Sequence, residues 1–189
     1  MNRWMRFGVI IGLLALGLLP GGVPRARADS GARTYDFLIA SDFLCGLEPS
    51  ACPAIAMAEN GDTVEITGAG TFTIHPDTVH GGGSFAHKDA AGHVLFTGTW
   101  TAVEVLSFHS YGSGAVQGLP QEFEGGQLML RVLMDPGEPG GARFPAILWV
   151  HCLLGDKIPQ GPEEGIRLNV PGVLNFQQTV SGFTLFIRH

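Results

Sequence analysis

Positive charge is scarce in this sequence: 11 of its 189 residues are Lys or Arg, and charged residues of both signs make up only 15%. Four of the basic residues, Arg3, Arg6, Arg25 and Arg27, fall in the first 28 positions, which hold no acid. The remainder sets 17 Asp and Glu against seven Lys and Arg. A surface of that sign repels phosphate backbones and anionic lipid, so neither nucleic acid nor a membrane surface is an expected partner.

The patterns that mark common chemistries are also missing. There is no His-Glu-x-x-His to place two imidazoles on one helix face, no Gly-x-Ser-x-Gly elbow to expose a nucleophile, and no Gly-x-x-x-x-Gly-Lys to cradle phosphate. Gly112-Ser113-Gly114-Ala115-Val116-Gln117-Gly118 has the wrong spacing for a dinucleotide turn, and no βαβ pattern surrounds it. Cys-x-x-Cys is absent, so a thioredoxin-like role is not expected. Seven histidines are present, at 75, 80, 87, 93, 109, 151 and 189. No two stand as His-x-His, the spacing that puts paired ligands on one strand face, and neither a metal site nor a cofactor is expected.

The features that are present begin with a leader. A basic start, an apolar run from Phe7 to Leu19, the breakers Pro20, Gly21, Gly22 and Pro24, and then Ala26-Arg27-Ala28 read as the three regions of a signal peptide. The apolar run falls short of the ~20 residues that a spanning helix needs. The expectation is cleavage after Ala28, with residues 29–189 forming a single secreted or periplasmic domain. In such an oxidising compartment Cys45 and Cys52, which bracket a short Gly- and Pro-containing stretch, are candidates for a disulfide. Pairing of either with Cys152 is not excluded by sequence. Cys152, after the apolar run Ala146–Val150, reads as a small core residue.

No long stretch repeats apolar residues at helical spacing. Short apolar runs separated by Gly and Pro point to an all-β domain. Strands are expected at Tyr35–Ala40, Thr63–Ile66, Thr71–His75, Gly83–Lys88, His93–Ala102, Val103–Phe108, Gln127–Met134, Phe144–Cys152, Ile166–Val170 and Phe183–Arg188, with a short helix at Pro53–Ala58. Asp89-Ala90-Ala91-Gly92 is the clearest hairpin turn, and Val94, Phe96, Gly98 and Trp100 then share one face of the next strand. Short links favour an antiparallel up-and-down β-barrel, with a two-sheet β-sandwich as the alternative. Over Gly61–Trp100 the chain resembles, in general shape, small secreted β-barrels such as lipocalins and dirigent-like domains. The resemblance carries no defining motif, and no residue role is taken from it.

Strand phase also suggests a constellation. Glu104 falls in step with Trp100, Arg131 with Met129 and Leu133, and His151 with Ile147 and Trp149. If those faces turned inward, Glu104, Arg131, His151, Trp100 and Trp149 would line a pocket with apolar walls and a few polar groups. Two classes of function are then expected. One is a non-enzymatic exported protein that binds a small apolar or amphipathic molecule or a protein partner. The other is a cofactor-independent isomerase- or cyclase-like enzyme with Glu104 or His151 as base and Arg131 steadying developing charge. A structural role in an envelope or matrix is the third.

Overall fold

The structure is a computed structural model that describes residues 31–137 and 141–189. The expected leader, 1–28, lies outside the described residues. The order of elements is β1 (Arg33–Ile39), α1 (Phe43–Leu47), β2 (Ala54–Ala58), β3 (Thr63–Ile74), β4 (Thr78–Lys88), β5 (Val94–Ser113), β6 (Phe123–Asp135), β7 (Phe144–Cys152), β8 (Gly165–Val170), β9 (Leu174–Ser181) and β10 (Thr184–Arg188). The domain is all-β, as the glycine- and proline-punctuated sequence implied, and each strand pairing is antiparallel.

Strands β2 to β9 form a meander in which each pairs with the next, and β9 returns to pair with β2. A second closure lies at the opposite end. There β1 pairs with the distal half of β3 and with β10, and β10 pairs with the first residues of β6. Long strands β3 to β6 are thus shared by a wide ring and a narrower one. The result is a closed ring short of a regular barrel.

The structure corrects several expectations. Pro53–Ala58 is not helical: Ala54–Ala58 is a strand whose residues alternate between buried and half-buried. Five residues are too few for periodicity to separate the two forms, and pairing on both sides with β3 and β9 decides for strand. Thr63–Ile66 and Thr71–His75 belong to one strand. The Gly68-Ala69-Gly70 stretch between them is not a break but a place of close approach. A Cβ on Gly68 would lie 2.4 Å from the Trp100 ring, and one on Gly70 would lie 2.7 Å from the Phe37 ring. A facing glycine on β4 serves the same end, since a Cβ on Gly81 would lie 2.8 Å from Phe37. Trp100 is 1% exposed and its indole N–H donates to the Thr67 carbonyl at 3.0 Å. Strand β9 arises where no strand was expected.

The Asp89–Gly92 turn forms as expected. The Gly92 amide donates to the Asp89 carbonyl at 2.9 Å, and Gly92 has φ +86°. The Asp89 carboxylate accepts from the Ala91 and His93 amides at 2.9 and 2.8 Å, which satisfies donors the hairpin leaves free.

Inward-facing Val64, Ile66, Phe72, Leu128, Leu130, Val132, Leu148, Val150, Ile166 and Leu168 are each at most 1% exposed. The narrow end is filled by Tyr35, Phe72, Phe108 and Phe186, whose ring centroids stand 4.8–6.1 Å apart in mainly tilted or edge-on contacts. On the outside, α1 sets Leu44 near the facing pair Leu38 and Leu185, all three buried. Cys45 in α1 is bonded to Cys52 just before β2, with Cα atoms 5.6 Å apart. Cys152 is a free, buried thiol, and burial first of all pushes its pKa far up. A disulfide of this kind fits an oxidising compartment. Among the described residues no helix is long and apolar enough to cross a membrane.

Candidate functional site

The side chains singled out from strand phase do not meet inside the ring. Residues Ala102 and Glu104 of β5 pair with consecutive residues of β6, Val132 and Arg131, so Val103 is an extra residue that breaks the alternation. A second irregularity between Val105 and Ser107 restores it, leaving Ala102, Val105 and Phe108 inward. Glu104 is carried to the outer face. There it accepts from Arg131 Nε at 2.8 Å, with both side chains about half exposed at 54% and 49%. Trp100 stays in the core, Trp149 is half-buried on the outer face, and His151 is 5% exposed on that same outer face. The interior therefore does not hold an acid, a guanidinium and an imidazole together: a β-bulge cannot be read from composition, and one extra residue inverts the phase of the residues after it.

Among the described residues, a charged side chain that the interior does contain is one that strand phase does not single out. Glu124, at the start of β6, is 3% exposed and takes hydrogen bonds from the Tyr35 hydroxyl at 3.3 Å and from Ser110 Oγ. Arg188 stands 3.5 Å from its other oxygen. Packed among the aromatics that fill the narrow end, this carboxylate is held by its neighbours.

Open space lies at the wide end. The first residues of β3, β5, β7 and β9 and the last of β4, β6 and β8 come together there around an apolar cup of about 180 Å³. Inward alternation brings Val64, Phe85, Met134, Leu168 and Phe176 to its floor and walls, and Phe96, Phe144 and Val173 to its rim. The rim is bare: Phe96 is 51%, Phe144 36% and Val173 61% exposed. Next to it, Val94 and Leu95 at the hairpin are 55% and 47% exposed. Gly98 makes room for the wall, because a Cβ there would lie 2.8 Å from the Phe85 ring and 2.1 Å from the Asp135 carbonyl.

Among the described residues, His87 is the only titratable group lining this cup. Its Nε2 lies 3.1 Å from Asp62 Oδ2, and its ring packs on Phe96 at 5.9 Å and edge-on to Phe176 at 5.3 Å. Asp62 arrives from the Asn60-Gly61 turn, where Gly61 takes φ +88°. The imidazole thus braces two aromatic walls while a carboxylate orients it from behind. The sequence carries a signal for the site. Phe96 is in phase with Trp100, and an inward row that reaches a tight turn must end at the mouth of the ring.

Comparison with protein-family models, curated proteins and solved structures found no match. Among the described residues, no group of three or more His, Cys, Asp or Glu stands close enough to hold a metal ion.

Proposed function

We propose that this is an exported binding protein that takes a small apolar molecule into the cup at the wide end of its ring. The carrying observation is a concave surface, lined almost wholly by Phe, Val, Leu and Met, that the fold leaves facing water. Soluble chains bury such surface or use it, and water gains nothing from groups it cannot hydrogen-bond. Binding rather than turnover suits the chemistry: the one titratable side chain in the wall is already engaged with Asp62, and no second acid or base among the described residues faces it across the cup. Export is supported by the expected leader and by the Cys45–Cys52 bond. An apolar cavity of about 150 Å³ suffices for benzene, so the occupant has the bulk of one ring with few substituents.

Titration with toluene, followed through methyl resonances, tests this. Saturable shifts are expected at the Met134, Leu168 and Leu174 methyls and not at the narrow end. Phe96→Glu, which places a charge at the rim without touching the packed core, is expected to weaken binding by about tenfold or more. Shifts that fail to saturate, or that spread evenly over the surface, would remove the basis of the proposal.

A further inference from the structure

A separate feature lies on the outer face of β6 to β9, away from the cup. Trp149 and Arg167 face each other across the β7–β8 pair, and Gln127 stands opposite His151 across β6–β7. With Asn175 and Gln177 of β9 they surround a depression of about 320 Å³. Three other arginines, 131, 143 and 188, each lie within reach of a carboxylate. Arg167 reaches none among the described residues, and its Nε is enclosed with no acceptor. Both ring nitrogens of the buried His151 are likewise enclosed and unpartnered. Enclosing one guanidinium N–H and an imidazole without partners costs stability, and it leaves the rest of the Arg167 guanidinium without a carboxylate among the described residues.

We propose that this depression binds an organic monocarboxylate carried on a flat ring. The guanidinium presents its N–H groups in a fork that matches a carboxylate. A single cation, with no second one lining the depression among the described residues, suits one negative charge better than the two of a phosphate. Trp149, held next to Arg167 by strand register, offers an aromatic face for the ring. The amides of Gln127, Asn175 and Gln177 supply donors and acceptors for ring substituents; Asn175 Nδ2 and Gln177 Oε1 are already 3.3 Å apart and oriented to one another. His151 adds no positive charge, because burial and then Arg167 hold its imidazole neutral down to about pH 4.

The test is calorimetric titration of the purified protein with benzoate and with D-glucuronate, two carboxylates that separate a flat aromatic from a puckered sugar ring, and with benzyl alcohol and inorganic phosphate as comparisons. Saturable binding of benzoate, tighter than that of glucuronate and with benzyl alcohol at least about tenfold weaker, is the expected result. Arg167→Gln is expected to abolish it, and Arg167→Lys to retain part of it, with circular dichroism of both variants unchanged. Should Arg167→Gln fail to fold, loss of affinity in Trp149→Ala serves in its place. Absence of benzoate binding, tighter binding of glucuronate or phosphate, or binding indifferent to both Arg167→Gln and Trp149→Ala overturns the assignment.

Discussion

Buried His151 and half-buried Glu164 are titratable side chains with opposite effects on the stability of the fold against pH. For His151, burial and the Arg167 charge lower the pKa from 6.5 to about 4, so the unfolded chain binds the extra proton between those values. Its contribution to stability is present above pH 6.5 and is lost as pH falls towards 4. Glu164 accepts from the Leu153 and Thr184 amides at 2.6 and 2.8 Å and from Thr184 Oγ1 at 3.0 Å. Even so, burial outweighs those donors and raises its pKa from 4.5 to about 7. Its contribution is therefore present below pH 4.5 and is lost as pH rises towards 7. The two slopes, each at most about 1.4 kcal/mol per pH unit, oppose one another across their shared window. Urea melts of Glu164→Gln at pH 4.5, 5.5 and 6.5 are expected to show stability rising with pH more steeply than in the unsubstituted protein. His151→Gln is expected to show the reverse tilt. Parallel pH profiles for all three proteins would mean that neither group is titrating as its burial demands.

Strand β4 illustrates how an element depends on residues that carry no side chain. Gly83 faces Gly68 across the β3–β4 pair, and a Cβ on it would lie 1.9 Å from the Thr67 carbonyl. Gly83→Ala is expected to lower stability by about 1–3 kcal/mol, because the clash is with backbone and no rotamer relieves it. A melting temperature unchanged within a degree would show that the strands are not that close. Much of the fold is legible in the sequence at this level. The glycines at 68, 70 and 81–83 are plain to see, but glycine reads as a break until the aromatic that needs the space is known, so β3 reads as two strands rather than one. Polar Asn175, Gln177 and Gln178 disguise β9, whose inward residue is Phe176, 3% exposed. Alternation places Trp100 and Phe96 correctly, whereas Glu104 lies beyond an irregularity whose cause is the partner strand. The cup is legible only in part, since its walls come from seven strands and no local window contains them.

At the scale of the molecule, filling of the interior decides where function can reside. Aromatic side chains of the described residues fill the narrow end, so a ligand of the kinds proposed would meet the ring at its mouth or on its outer face. Phe72→Ala, which removes a ring in contact with four other aromatics (Tyr35, Phe37, Phe108 and Phe186), is expected to cost about 3–5 kcal/mol. Phe96→Glu, at the exposed rim, is expected to leave the unfolding midpoint within a few degrees while weakening toluene binding. Equal destabilisation by the two would assign Phe96 to the core. Reduction of Cys45–Cys52 is expected to cost about 2 kcal/mol through the freed loop between α1 and β2, read as a lower midpoint in dithiothreitol.

Closure through β10 has a temporal side. Strand β1 finds β3 early in the chain, but its other edge stays unmatched until Thr184–Arg188 arrives, and the His189 amide donates to the Thr34 carbonyl at 3.0 Å. A polypeptide halted before Thr184 would present β1 and the start of β6 as sticky edges open to other chains. Residues Thr184–Arg188 are the ones that seal the wall.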